Sequence, residues 1–503
     1  MSYGLLMDVG SIQSFIFGSN KLRENIGASW LIEDLFGKSF LSEVNQKGTV
    51  VFSGGGNCLL TFPEKQDAKD FLFLFTSKLL VEVPGITIHA AIEPYNEKSH
   101  EQDFKNLHTS LLTNKGKEIP VTQLTRHGIN LECPRTGLST ETFISFEKNE
   151  GKWVNSSVAA RLNKVDEANE RLTNFFVDND KKNQLLVPDP KTKQFTNFEF
   201  TTELDKLGQE KGEENSIAIV HIDGNSMGDR FKACKSKEEL TNLSISVSEA
   251  TKAALVEMTL NFIDTYFKGD FNDLKLRKGK ADSSLILPFR PLILGGDDIT
   301  FVSDGRLGIW LAQAYITSFS QKVVSDKKPL SSCAGIAITK TKFPFFRGYE
   351  LAERLCSSAK KRARDLDNSS WLDWQILFGH GSFDFDELRN HHFTLQNGKK
   401  LFGRPYRADG NATDNKSIKL ILEKAEELRT KWPNNKIKEL RSALASVDSD
   451  RTRFIETMKA RGLYLPDYQN EMKNTGFSGD FTIYNDVIEL LDIYPFKKKV
   501  TTK

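Results

Sequence analysis

The 503-residue chain is short of several things, and each shortage excludes a class of protein. Its five cysteines stand apart at positions 58, 133, 234, 333 and 356, with no CxxC pair, so neither a disulfide framework nor a zinc ribbon can be read from them. A reducing cytoplasm is the expected location. Charge of one sign is also missing, since 69 Lys+Arg stand against 67 Asp+Glu for a formal +2. A protein held to nucleic acid mainly by phosphate neutralisation would carry a wholesale basic surface, so any nucleic-acid groove here is local. No run of about 18 uncharged apolar residues occurs and the start, MSYGLLMDVG, lacks a basic leader, so neither export nor a membrane partner is expected. What remains is an ordinary globular composition, 39% hydrophobic and 27% charged, over a length too great for one core.

Tyr3 to Met7 is an apolar run ending at Asp8-Val9-Gly10, and the amphipathic stretch Ser11 to Phe40 predicts a helix. Thr49 to Phe52 and Cys58 to Phe62 flank Gly54-Gly55-Gly56, a hairpin signal, and a helix over about 65–82 and a strand Ile86 to Ile92 follow. This βαββαβ order is that of a ferredoxin-like unit. It recurs about 210 residues later: strand Ser216 to Ile222, helix 236–268, strands Pro291 to Leu294 and Ile299 to Val302 about Gly295-Gly296-Asp297-Asp298, helix Gly308 to Val323, strand Ser332 to Thr339 and a helix from Gly348 to Asp365. The expected fold class is α+β, with two ferredoxin-like palm domains packed together, a mixed middle domain and a helical C-terminal domain. The expected boundaries are 1–100, 101–210, 211–385 and 386–503. Gly269 to Leu287, polar and lysine-rich, is expected to be an exposed loop.

The second copy carries the chemistry. Asp223 at a strand end and Asp297 and Asp298 in the neighbouring hairpin turn bring three carboxylates together, and such a cluster repels itself unless a cation sits in it. Oxygen ligands at a partly open site suit two Mg²⁺ or Mn²⁺ ions, which bind substrate phosphates and hold the attacking and leaving oxygens of a phosphoryl displacement. Turn geometry leaves open which of Asp297 and Asp298 is the principal ligand. Around them, Gly224, Asn225, Ser226 and Gly228 lie where a strand hands over to a helix, with Gly224 and Gly228 allowing main-chain N–H groups to approach a triphosphate. Lys360, within Ala359-Lys360-Lys361-Arg362-Ala363-Arg364, can reach β- and γ-phosphates. Alone, Gly-Gly-Asp-Asp is a good hairpin turn and a basic helix end is a favourable C-terminus; their conjunction, in the order a nucleotide-polymerising palm needs, points to catalysis.

The runs His221 to Gly228, Leu294 to Asp298 and Ala352 to Lys360 resemble the palm of GGDEF-type nucleotide cyclases. With Asp8 to Phe17 and Gly403-Arg404-Pro405-Tyr406 added, the chain looks more closely like the polymerase-cyclase large subunit of type III CRISPR effector complexes, or a stand-alone relative of it. That resemblance implies metal-dependent joining of ATP into cyclic oligoadenylate for antiviral defence, with Asp223, Asp297 and Asp298 at metal, Gly295 and Gly296 giving backbone approach and Lys360 at phosphate. It also implies partners: ATP, guide and target RNA and other effector subunits; a homo-oligomer is a further expectation. The alternatives are an RNA-binding large subunit whose palms are mainly scaffold, and a related cyclase making other cyclic nucleotides.

Departures from that family shape further expectations. No His-Asp dipeptide occurs among the eight histidines, so His-Asp nuclease activity is not expected. Cys133 is a single thiol where the family commonly holds a zinc, so no zinc is expected. The first copy keeps Asp8 but has Gly56-Asn57 where the second has Asp297-Asp298, a poor cage for two divalent ions, and it should be catalytically silent. Two roles remain for it: holding an acceptor nucleotide through Ser11, Gln13 and Asn57, or closing the pocket as a structural partner.

Overall fold

The apolar run near the N-terminus forms β1 (Ser2–Gly10), which pairs antiparallel with β3 (Asn57–Phe62) and β4 (Thr87–Tyr95), while β2 (Thr49–Gly54) pairs with β3. The sheet order β2-β3-β1-β4 is that of a ferredoxin-like unit. The structure is a computed structural model that describes residues 2–44, 47–54, 56–96, 99–117, 131–146, 150–178, 180, 182–207, 215–271, 274–279, 284–377, 385–409, 414–468 and 472–497. Gly55, in the expected turn, lies outside them, as do parts of 101–210 and residues 272–273 and 280–283 of the expected loop.

The helix expected over Ser11 to Phe40 is instead three, Ile12–Phe17, Leu22–Leu35 and Lys38–Val44. Gly18-Ser19-Asn20 and Gly37 interrupt the apolar pattern, and small or turn-forming residues break a helix wherever no face needs to be continued. The middle of the chain holds the hairpin β5 (Thr142–Phe146) and β6 (Glu150–Val154), and the antiparallel pair β7 (Leu186–Pro188) and β8 (Phe195–Phe200).

The second unit contributes β9 (Ser216–Gly224), β10 (Ser284–Leu287), β11 (Phe289–Gly295), β12 (Asp298–Asp304), β13 (Ser332–Lys340), β14 (Trp371–Ile376) and β15 (Tyr406–Arg407). Six of these form one sheet in the order β11-β12-β9-β13-β14-β15, whose first four strands repeat the topology of the first unit. β14 joins parallel to β13 after the helix Phe345–Leu366, an extension the sequence reading did not include. β10 corrects the expectation of an exposed loop over Gly269 to Leu287: it pairs parallel with β8, and Ser284, Ile286 and Leu287 are buried. Leu287 joins the core that holds Phe198, with Leu285 packed against it.

Period-2 burial divides the second sheet. Ala218, Val220 and Ile222 face the helices Lys237–Lys268 and Gly308–Ser320, whereas Ile217 and Ile219 face Phe345–Leu366 and share a core with the first unit. The 32-residue helix is capped by Ser236, whose side chain accepts from Glu239 N, and ends at Gly269 with φ of +74°. The two units meet where Phe17 stacks on Tyr349, with 4.2 Å between ring centroids, and lies 5.4 Å from Phe345.

C-terminal helices Ile418–Lys431, Asn434–Leu444, Asp448–Ala460 and Tyr484–Ile493 pack on the far edge of this sheet. Arg404 anchors them from full burial, 2.5 Å from Glu489 and 3.6 Å from Asp486, while Tyr406 donates to Asp486 at 2.6 Å. The Gly403-Arg404-Pro405-Tyr406 run thus serves as a polar rivet between sheet and helices.

Candidate active site

β9 runs antiparallel between β12 and β13, with Ile222 opposite Ile299 and Asp223 opposite Cys333. That register carries Asp298, the first residue of β12, to the level of Asp223. Gly296 turns the hairpin with φ of +59°, and its carbonyl accepts from Thr251 Oγ1 at 2.7 Å, so the long helix pins the turn. Gly224 is required by a close approach: a Cβ there would fall 2.6 Å from Asp297 Oδ2 and 2.8 Å from Asp297 Cβ. Asp297 therefore lies directly over the backbone that follows Asp223.

Lys360, on Phe345–Leu366, completes the group. Its Nζ lies 2.5 Å from Asp223 Oδ2 and donates to Gly224 O at 2.9 Å. Burial works against its charge, but Asp223 outweighs this and holds its pKa above the ordinary value. The structure thus brings Asp223, Asp297, Asp298 and Lys360 together.

The three carboxylates, expected to cluster at a partly open site, each turn to a different neighbour. Among the described residues no three His, Cys, Asp or Glu side chains converge as a ready metal site. Asp223 pairs with Lys360, Asp297 covers Gly224, and Asp298 turns its Oδ1 to within 3.3 Å of His221 Nδ1. Three carboxyls this close relieve their repulsion by taking up a cation or a proton. Burial, then Asp223 and Asp298, push the Asp297 carboxyl up to about 7, and burial followed by Asp223 pushes Asp298 well up. The donor chemistry suits a hard divalent cation, all the candidate ligands being oxygen, and the buried Asp298 Oδ1 accepts no hydrogen bond among the described residues.

The expected phosphate-approach residues separate into two groups. Gly228 and Gly296 face open space, with no atom within 4 Å of a built Cβ. Asn225 is instead structural: it is buried, and its Nδ2 donates to Ser331 Oγ, Asn368 O and Ser369 O at 3.1, 3.4 and 3.0 Å. Ser226 precedes a helix of only six residues, Met227–Lys232, and its Oγ lies 3.4 Å from Asn368 Oδ1. Sequence reasoning missed His221, which Thr300 Oγ1 contacts at 3.0 Å and which burial keeps neutral. The signal was available: two residues before Asp223 on a strand is the same face.

The first copy repeats the frame. Asp8 pairs with Asn57 in register and forms an ion pair with Lys115 on the helix His100–Lys115. Lys115 lies as far past the end of β4 as Lys360 lies past the end of β13. Ser11 and Ser226, each three residues after the strand-end aspartate, both take left-handed φ, +52° and +56°. The interior of the site differs. Val9 stands at the position of Gly224, Gly56 at that of Asp297, and a side chain on Gly56, whose φ is +78°, would run into Ile12 Cδ1. Hydrocarbon fills the place of the second copy's carboxylate. Gln13 reaches across to donate to Glu353, on the helix that carries Lys360, at 3.3 Å.

Residues 216–367, which hold all four catalytic candidates, match the family model described as Cas10/Cmr2, second palm domain. That segment is Cas10-like. The likeness of fold extends beyond that segment. A Csm1–Csm4 cassette in complex with cA3 superposes with a TM-score of 0.56 at 14% identity, covering 98% of this chain and 69% of the other. Cassettes in complex with cA4 and with AMPPNP each give 0.54, at 15% and 13% identity, covering 98% and 97% of this chain and 69% of the other. No curated protein matches the sequence significantly.

Proposed function

We propose that this chain is a nucleotidyltransferase that joins ATP into cyclic oligoadenylate, the 3′-hydroxyl of one nucleotide attacking the α-phosphate of another as pyrophosphate leaves. The observation that carries this reading is the Asp223–Lys360 pair set beside Asp297 over Gly224, within the matched segment. The cassettes of like fold in complex with cA3, cA4 and AMPPNP support the substrate class.

Asp223 and Asp297, with Asp298 behind them, would hold two Mg²⁺ or Mn²⁺ ions, which supply charge neutralisation at the attacking and leaving oxygens. The chain's own residues mainly position and neutralise. An ammonium has three N–H donors, and with two aimed at Asp223 and Gly224 O, Lys360 has one for an oxygen of the leaving pyrophosphate. Neutral His221 lies beside Asp298, its Nδ1 3.3 Å from Asp298 Oδ1 and 3.0 Å from Thr300 Oγ1. Ser11, Gln13 and Asn57 border the acceptor side, Gln13 already touching the Lys360 helix. Adenine selectivity rests on the likeness to the cassettes.

Effector subunits of the Csm4 kind, and with them guide and target RNA, are the proposed partners, since the neighbours of like fold are Csm1–Csm4 assemblies. The test is incubation of the protein, alone and with co-expressed effector subunits and target RNA, with Mg²⁺ and each NTP, followed by mass spectrometry. Cyclic oligoadenylate from ATP, absent with Asp223→Asn, is the expected result. No ATP-derived product under any of these conditions overturns the proposal.

A further inference from the structure

A crevice of about 50 Å³ lies where three parts of the chain meet. The helix Leu22–Leu35 lines it with Trp30 and Glu33, the helix Val165–Asn174 with Arg171, and the edge strand β11 with Arg290. Arg290 is 2% exposed. Its Nε is buried without a hydrogen-bond partner, and among the described residues no carboxylate pairs with it; its guanidinium carbon lies 5.8 Å from the centre of the Phe200 ring. Burial alone pushes its pKa down to about 9. An unneutralised buried cation costs free energy that folding recovers only if an anion arrives.

The other charges facing the crevice leave that anion unsupplied. Glu33, the lining carboxylate, is ion-paired with Arg171, and Lys252 also acts on it, its Nζ 5.2 Å from the Phe175 ring that forms one wall. Arg171 lies 4.8 Å from the centre of the Trp30 ring. Glu167, close by on the helix Val165–Asn174, accepts from Trp30 Nε1 and Lys164. Asp34, the next residue along the helix, has its carboxyl pushed up by burial, with Lys164 and Arg171 only partly offsetting this. Two guanidinia against one carboxylate leave the lining positive, and a guanidinium fork matches the oxygens of a phosphate. The volume admits several waters or one small tetrahedral group.

We propose that this crevice is a phosphate-binding site in which Arg290, with Arg171 beside it, receives a single phosphate group. Its occupancy ties together the first unit, the middle segment and β11, which runs on from Arg290 to Gly295 at the catalytic turn. The phosphate is either a free ion or one carried by a nucleotide, and the chemistry of recognition is shared.

The test is thermal unfolding of the full chain in EDTA, with inorganic phosphate against chloride at equal ionic strength. The expected result is a saturable rise of the midpoint in phosphate that persists in Lys360→Ala, which alters only the catalytic site, and disappears in Arg290→Met. In chloride, Arg290→Met should be as stable as the wild type or more so, because it removes an unpaired buried charge. Glu33→Gln, which releases Arg171, should enlarge the phosphate increment, and this keeps the idea testable should Arg290→Met fail to fold. An equal increment in wild type and Arg290→Met, loss of the increment in Lys360→Ala, or no enlargement in Glu33→Gln overturns the proposal. Adenosine 5′-monophosphate acting at lower concentration than phosphate, with adenosine inactive, identifies a nucleotide-borne group; equal potency identifies the free ion.

Discussion

Lys360 and Asp223 form a 2.5 Å ion pair between the helix that follows the second βαββαβ unit and the first strand of that unit, so the cation is fixed at the strand end where the carboxylates gather. Lys360→Ala should lower the rate by a factor of roughly 30 to 1000, or about 2 to 4 kcal/mol of transition-state stabilisation. Lys361, about 100° further around the helix and exposed, should matter little. Initial pyrophosphate release at saturating ATP, with folding checked by circular dichroism, decides between them; a stronger defect at Lys361 would return the basic run to a solvated helix end.

Asp297→Ala combined with Asp298→Ala should abolish product while leaving the thermal midpoint in EDTA unchanged or raised. Burial and mutual repulsion already disfavour both carboxylates, so their removal relieves the fold. A large loss of stability would make them structural turn residues.

Gly224→Ala tests the close approach directly. Its new methyl would meet Asp297 within 2.6 Å, forcing that side chain off the backbone. Turnover should fall at least tenfold with a midpoint change of only a few degrees, and titration with Mn²⁺ should show weaker binding; wild-type metal affinity would mean that Asp297 is not a ligand.

Asp8→Asn should reduce turnover far less than Asp223→Asn, because Val9 and Ile12 occupy the interior of the first site. Parallel rate measurements check this, and equal inactivation would show that the first copy works as a second catalytic centre.

Asp486 gives a pH dependence remote from catalysis. Burial, partly offset by Arg404, pushes its carboxyl up to about 6 from an ordinary 3.8. As pH rises from about 4 to 6, the unfolded chain releases this proton before the folded one, so stability falls across that window. The wild-type midpoint should therefore drop relative to that of Asp486→Asn over this range in thermal scans, and a constant difference would refute the shift.

The doubled βαββαβ order was legible because strand and helix periods differ and the glycine-rich turns punctuate them. Asp223, Asp297, Asp298 and Lys360 were legible as a set because each lies at an element end fixed by that order. β10 and β14 were not: β10 is four residues at the end of a lysine-rich stretch, and the alternation of β14 is masked because both its faces are buried. Asn225 was misassigned for a different reason. Its three bonds reach loops more than 100 residues away, and local pattern carries no information about such closure.

The exchange of Val9 with Gly56 against Gly224 with Asp297 has a consequence for redesign. Gly56→Asp alone would drive its side chain into Ile12 from a left-handed backbone, so a second acidic hairpin cannot be grafted onto the first copy one residue at a time. Ile12 has to shrink with it, and the first site is thus locked against repair by the hydrocarbon that fills it.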